Sequence, residues 1–493
     1  MIALLAGCSA PELAPTGRPT VADAQVLLAR IGDVVTVEGV LAGPQTVDID
    51  AGGDERYGFR YRIYDADDAL LYERSTVGPA LVESFLAYWS GVSGVDILDS
   101  LPSLGEFPIQ VPILPDAAWI AFEVRDPGTG AYTLRGGWDP TLADAMSVTP
   151  AGAEVLSTAV LHDGGDPARA VDLVILPDGY RAEDLAQFRA DADAAAATLL
   201  GAEPYTSYAD RIGITRVDVA SNEAGASFDC PTCGVVDTAF GSIFPIELVN
   251  RFSGAGYEAR AIFQAQQWKI AHTLADIPWD AVLVLVNSPQ FGGMAVHYAV
   301  VTRGVGDLPE TSVHELGHAF GMLGDEYVAD DCIRTAELGL PENITDRPDD
   351  PPWRDHVAPG TPLPTPRGAG HAVGAYQGAW NCDDLYKPAE TCRMDESGDP
   401  FCAVCAELLV RRLFRFGDPA DAVAIDGRDV VVSGLTPGST VSVRADGVAL
   451  DGTRLPRGAR EVTVEVAHQS DQVVSDPTGD LRETWTFGAP LAD

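Results

Sequence analysis

The five residues His314-Glu315-Leu316-Gly317-His318 restrict the fold of this 493-residue chain more than any other stretch. Histidines four apart stand one turn above each other on a helix, where both imidazoles reach a single metal ion. The segment is therefore predicted to be helical. Val313, Leu316 and Phe320 flank it with apolar surface, so the helix must be buried against other layers. Gly317 permits close packing, and Gly321 is expected to end the helix and turn the chain back. Glu315 is not an obvious ligand. It is placed to act as a base on a water whose pKa zinc can lower to about 7. A catalytic zinc needs three protein ligands and one open position, and Asp325 and Glu326 are the local candidates for the third. The plain alternative is a surface helix carrying these residues by accident. With 8 His in the chain, that accident arises in on the order of one chain in a hundred, and the apolar flanks argue against an exposed helix.

The wider stretch HELGHAFGMLGDEY, residues 314–327, resembles the metzincin pattern HExxHxxGxxH, in which the glycine turns the chain so that a third ligand approaches the metal. Gly321 occupies the glycine position, Gly324 stands where the last histidine would be, and Asp325 follows it. Together with VDLVILPDGY (171–180) and RVDVASNEAGAS (216–227), the stretch is similar to the immunoglobulin A metallopeptidase family, a metzincin-like group whose motif ends in Asp-Glu-Tyr. The resemblance covers the whole predicted catalytic domain. It implies one catalytic zinc, His314, His318 and Asp325 as its ligands, and Glu315 as catalytic base. Glu326 is the alternative third ligand. Met394, in Thr391-Cys392-Arg393-Met394-Asp395-Glu396, resembles the methionine of the Met-turn, an apolar floor beneath the metal. Tyr327, just after the ligands, is a candidate hydrogen-bond donor to the oxyanion of the transition state.

Charge and length exclude other classes. A formal net charge of −41 argues against a nucleic-acid partner, because phosphate binding needs clustered Lys and Arg. Such acidity fits solubility, with repulsion screened where salt is high. The first residues end an apolar run in Leu5-Ala6-Gly7-Cys8, which resembles a bacterial lipobox with Cys8 as the lipidated residue. A signal peptide also carries a basic n-region, so the true start is expected upstream. No other apolar run approaches a membrane span. The expectation is an exported lipoprotein of the bacterial cell envelope, at the outer membrane, or an extracellular protein, touching membrane through its N-terminal lipid alone. Cys230-Pro231-Thr232-Cys233 and Cys402-Ala403-Val404-Cys405 have zinc-like spacing, but an exported compartment favours disulfides.

In order, the sequence divides into a signal remnant at 1–8, a Pro-rich tether at 9–30 and an N-terminal β-sandwich at 31–150. A catalytic domain at 165–417 and a small C-terminal all-β domain at 418–493 follow. Short β-prone runs such as Val34–Val40, Tyr57–Tyr64, Trp119–Val124 and Tyr132–Leu134, separated by turn signals, support the sandwich. Strand 171–176, an Ala-rich helix 183–200, strand 216–221, a helix 257–274 and strand 281–286 make the centre α/β. Asp178 reads as a turn residue satisfying its own backbone. Residues 287–300 suggest a turn into an edge strand beside the active helix, where an extended peptide can add by main-chain hydrogen bonds. His297 there reads as a side chain beside the cleft. Residues 341–370, dense in Pro, Asp and Gly, form an irregular loop. A basic amphipathic helix then ends near Phe416. Runs at 430–432, 440–443, 461–466 and 484–487 alternate in the last domain.

The fold class expected is thus an α/β (α+β) metzincin-like zincin domain between two β domains. The function expected is that of an exported zinc-dependent endopeptidase acting on protein or peptide substrates through metal-activated water. The alternative is a lipid-anchored binding protein whose peptidase-like domain does no chemistry. A third reading, metal-dependent hydrolysis of a non-protein amide, shares the site but has no use for the edge strand.

Overall fold

The computed structural model describes residues 21–31, 34–48, 59–76, 106–125, 131–167, 169–228, 232–244, 262–295, 297–328, 332 and 340–488. Cys8 and the lipobox-like run lie outside them, as do residues 257–261 and the turn at 126–128. Among the described residues seven strands come first: β1 (Val21–Ile31), β2 (Val35–Asp48), β3 (Phe59–Tyr64), β4 (Leu70–Thr76), β5 (Glu106–Pro112), β6 (Trp119–Arg125) and β7 (Tyr132–Trp138). They form two antiparallel sheets, in the orders β2-β1-β5 and β4-β3-β6-β7. In β3 the period of two puts Phe59, Tyr61 and Ile63 into the space between the sheets, against Leu27, Phe107 and Ile109. Arg60 and Arg62 point the other way, to Glu123 and Glu73. β1 begins at Val21, inside the stretch that composition assigns to the tether. It is the middle strand of its sheet and is covered on both sides, so small apolar residues serve it where a tether-like composition misleads.

The central sheet takes β8 (Val155–His162), β9 (Val171–Asp178) and β10 (Ile212–Val219), with α1 (Leu185–Gly201) between the last two. A short sheet of β11 (Ser227–Phe228), β12 (Ser242–Phe244) and β13 (Phe263–Gln264) intervenes. Then come α2 (Gln267–Thr273), β14 (Ala281–Val286), β15 (Gly293–Ala295), β16 (Ala299–Thr302) and α3 (Leu308–Ala319). The strand order is β15-β16-β14-β9-β10-β8, parallel in the middle and antiparallel at both edges. β14 is buried at every position, as a strand covered on both faces must be. Leu283 and Leu285, with Leu173 and Ile175 of β9, face α1 and α3. Val282, Val284 and Val286, with Val174 and Leu176, face α2. α1 meets its face with Leu185, Phe188, Ala192, Ala195, Ala196 and Leu199, at helical spacing.

Two expectations change here. The helix at 257–274 is much shorter among the described residues, because Phe263 and Gln264 complete a ladder with Ile243 and Ser242 instead. The sheet also acquires β8 from residues between the two predicted domains. Its burial is slight, and Leu156 and Val160 are exposed, so no hydrophobic pattern announces it.

The first sheets dock on this centre through Val26 and Leu41 against Ala271 and Ala275. Gln45 Nε2 donates to the Ile277 carbonyl (2.8 Å) and Gln110 Nε2 to that of Trp279 (2.7 Å). Beyond the irregular loop come the hairpin β17 (Tyr376–Ala379) and β18 (Cys382–Lys387), then α4 (Ala403–Leu413). The chain finishes in β19 (Ala422–Asp426), β20 (Asp429–Ser433), β21 (Ser439–Ala445), β22 (Val448–Ala449), β23 (Glu461–His468) and β24 (Arg482–Gly488). These enclose a core of Val462, Val464, Val466, Trp485 and Phe487. Arg411 of α4 and Arg415 just past its end tie this end down through Asp480 (3.2 and 3.1 Å).

Asp178, at the carboxyl end of β9, does not serve its own turn. It is fully buried and accepts from Phe240 N and Ser242 N (both 2.9 Å), Thr238 Oγ1 (3.0 Å) and Ser242 Oγ (2.5 Å). It therefore pins residues 238–242 to the sheet. Replacing it by Ala strands several buried donors, each costing about 1–3 kcal/mol when left unmade. Asp178→Ala is expected to lower stability by about 3 kcal/mol, read as a shift of the urea midpoint; an unshifted midpoint would show that water replaces the carboxylate.

Candidate metal centre

α3 starts where Asp307 caps it, its side chain accepting from Glu310 N (3.2 Å), with Pro309 in the first turn. Val313, Leu316 and Phe320 bury one face in the central core. A different face carries His314 and His318, whose Nε2 atoms are 3.2 Å apart with the rings at 87°. Gly317 lies on Met394, where a Cβ would stand 2.8 Å from Sδ. The helix ends at Ala319, and the turn differs from expectation. Met322, not Gly321, takes the left-handed backbone (φ 60°). Gly321 is needed for space, because a Cβ there would collide with Leu409 Cδ2.

Each imidazole is fixed from behind by a backbone carbonyl. His314 Nδ1 lies 2.7 Å from Arg393 O, and His318 Nδ1 lies 2.7 Å from Leu323 O. Both Nδ1–H groups donate there, which leaves both Nε2 lone pairs facing forward. Asp325 Oδ1 completes the cluster, 3.3 Å from His314 Nε2 and 3.1 Å from His318 Nε2. It is buried and accepts no hydrogen bond. With both Nε2 atoms unprotonated, two lone pairs and a carboxylate oxygen at these separations repel one another, and a metal ion or a proton among them removes the repulsion. Ligands about 2.0–2.1 Å from a tetrahedral zinc are roughly 3.3 Å apart, which matches. The donor set of two imidazoles and a carboxylate also suits zinc. The residues present therefore fit the implied metal.

The electrostatics agree. Burial would raise the Asp325 carboxyl and lower both imidazoles, but their mutual attraction outweighs it. Asp325 is held well below the usual carboxylate range. His318 is pushed up to about 9 and His314 is also raised. Without metal the pocket thus captures a proton, which a metal must displace. Glu315 is buried beside them, and burial pushes its carboxyl up while the imidazoles pull it down. The edge strand β15 lies directly over it, since a Cβ on Gly293 would fall on Glu315 Oε1.

Asp325 and Glu326 part company. Glu326 is fully buried and turned away, its Oε1 accepting from Asn343 Nδ2 (3.0 Å) and Cys405 Sγ (3.0 Å). The loop that aims Asp325 is held by the turn of the β17–β18 hairpin. Trp380 N donates to Asp325 O (2.9 Å) and Asn381 N to Tyr327 O (3.0 Å). Trp380 and Asn381 both have positive φ, as a two-residue hairpin turn requires. Tyr327 itself is half-buried. Met394 is fully buried, and its carbonyl accepts from Glu326 N (2.7 Å). His297 is apart from the cluster, its Nε2 3.3 Å from Pro108 O. Asn343, the two carbonyls and the hairpin turn were not foreseen. Carbonyls leave no side-chain trace, although the Asn381 position is a legible turn signal.

An exported compartment favours disulfides, and the described cysteines include both disulfides and free thiols. Cys332 and Cys382 form a disulfide and Cys233 is disulfide-bonded. Cys392, Cys402 and Cys405 are free thiols.

No curated protein matches the chain. The model of the family described as IgA Peptidase M64 matches residues 159–369, from β8 past α3, a span that contains His314, Glu315, His318 and Asp325 and stops short of Met394. Over this span the chain is similar to the IgA peptidase M64 family, a family of peptidases.

Proposed function

We propose that the chain is an exported zinc-dependent endopeptidase that cleaves protein or peptide substrates. The observation that carries this is the convergence of His314 Nε2, His318 Nε2 and Asp325 Oδ1, with the buried Glu315 carboxylate beside them. His314, His318 and Asp325 hold the metal. When bound, zinc supplies Lewis acidity to the attacking water and the scissile carbonyl.

Glu315 does the proton transfer. It takes the proton of the attacking water and passes it to the leaving amine. Burial pushes its carboxyl above the usual carboxylate range, which favours its holding the proton between the two halves. β15 offers the substrate a strand to pair with. It is the outer strand of the sheet and runs across Glu315, so an extended peptide added to that edge has its main chain beside the base. Tyr327 is the donor assigned to the oxyanion, and Met394 is the apolar floor under α3, in a metzincin-like arrangement. Disulfides at Cys332–Cys382 and Cys233 support export, with Cys8 as the lipid anchor. The family description names immunoglobulin A, but a fold does not carry its founding substrate with it.

Two variants test the reading. Glu315→Gln is expected to keep the metal content of the unaltered chain while turnover of a peptide library falls by about 100-fold or more; full turnover would remove Glu315 from the mechanism. Gly293→Ala is expected to displace the Glu315 carboxylate, lowering kcat by roughly tenfold or more with metal content intact. Unchanged kcat in that variant would mean that β15 does not press on the base.

A further inference from the structure

Behind the first centre, on the far side of the Asp325–Glu326 peptide, four donor groups meet. We propose that Cys392, Cys402, Cys405 and Glu326 form a second, structural metal site that takes a thiophilic divalent cation, zinc by preference. The three Sγ atoms and a Glu326 carboxylate oxygen all lie within 4.8 Å of one another. Cys405 Sγ is 3.0 Å from Glu326 Oε1, and Cys402 N donates to Cys392 Sγ at 3.3 Å. Around a tetrahedral zinc, sulfurs about 2.3 Å from the metal stand roughly 3.8 Å apart, so small side-chain adjustments close the cage.

A second observation points the same way. Glu326 Oε2 is buried and has no hydrogen-bond partner. A carboxylate oxygen left without a partner in a protein interior is costly, and a bound cation satisfies it. Lys387 is the nearby cation, but its Nζ donates to the Glu326 backbone carbonyl (2.8 Å) and pairs with Asp395. Asn343 Nδ2 steadies Oε1, as outer partners of metal ligands do.

Disulfide bonding accounts for the cluster less well. The structure joins Cys332 to Cys382 and leaves these three thiols free. Three thiols cannot pair completely, and any pairing among them leaves Glu326 unsatisfied. Three sulfurs and one oxygen suit zinc and disfavour calcium or magnesium, which take oxygen ligands. Four protein donors leave no open position, so the site is structural and performs no reaction.

Its effect is positional. Cys392 adjoins Arg393, whose carbonyl holds His314, and Glu326 adjoins Asp325. Cys402 caps α4 and Cys405 lies in its first turn. One ion thus clamps the ligand loop, the Met394 turn and α4 together.

The test uses the full chain. A His314→Ala, His318→Ala double variant, which lacks the first centre, is loaded with zinc and analysed by native mass spectrometry, then loaded with cobalt(II) and examined by absorption. The site predicts about one zinc retained per chain and an intense thiolate-to-cobalt charge-transfer band. Adding Cys405→Ser should abolish the band. Because the readout is metal and thiolate coordination, it stands whether or not the chain is a peptidase. No bound metal in the double variant, cobalt without a thiolate band, or a disulfide between any two of Cys392, Cys402 and Cys405 in the purified chain would overturn the proposal.

Discussion

The bond from His314 Nδ1 to the Arg393 carbonyl is the contact on which the arrangement of the centre depends. It joins the helix that carries the imidazoles to a turn some eighty residues later, and it decides which nitrogen faces forward. The same turn presents its next carbonyl, that of Met394, to Glu326 N. Helix, ligand loop and turn are therefore one hydrogen-bonded unit. Met394 fills the space beneath α3 at a point where Gly317 has no side chain, so apolar packing and the two carbonyl bonds constrain the same few atoms.

The sheet explains why such a unit can be rigid. β9 and β14 send alternate residues to two separate cores, one shared with α1 and α3 and the other with α2. α3 rests on a strand layer buried on both faces, and the β2-β1-β5 sheet packs on α2 from outside. The N-terminal strands thus back the layer that lies opposite α3. His297 reaches the same strands, since its ring meets the Pro108 carbonyl beside the β15 edge. The rim of the proposed substrate strand is in this way tied to the first sheets, and among the described residues β15 pairs with β16 alone in its sheet.

How much of this was legible in the sequence follows from the range of the forces involved. The α3 helix could be read because its two histidines and its apolar face both follow helical spacing within a dozen residues. β14 and β9 could be read from continuous apolar runs, and the last strands from alternation. The choice between Asp325 and Glu326 could not be read, because Trp380, Asn381 and Asn343 orient the loop from far along the chain. The helix expected at 257–274 lost part of its length to a ladder with β12, a contact that local propensity does not register. β8 stayed hidden because its outer face is exposed and its apolar residues do not alternate cleanly.

The cysteines carry the same lesson further. Spacing alone offered Cys402 and Cys405 as half of a four-cysteine set with Cys230 and Cys233, and the compartment argument then turned all of them into disulfides. Folding supplies a third thiol from the Met394 turn and a carboxylate from the residue after Asp325. In the proposed reading, consecutive residues serve two sites of different chemistry: Asp325 would join imidazoles in a three-ligand set, which leaves a position open, and Glu326 would join thiols in a closed four-ligand set. Sulfur donors and a full coordination shell hold zinc tightly and without reaction, whereas two imidazoles and one carboxylate leave it acidic and accessible. A chain that needs one metal to be reactive can gain rigidity from a second that is not, provided the donor sets differ enough for each ion to keep to its own side of the peptide bond between them.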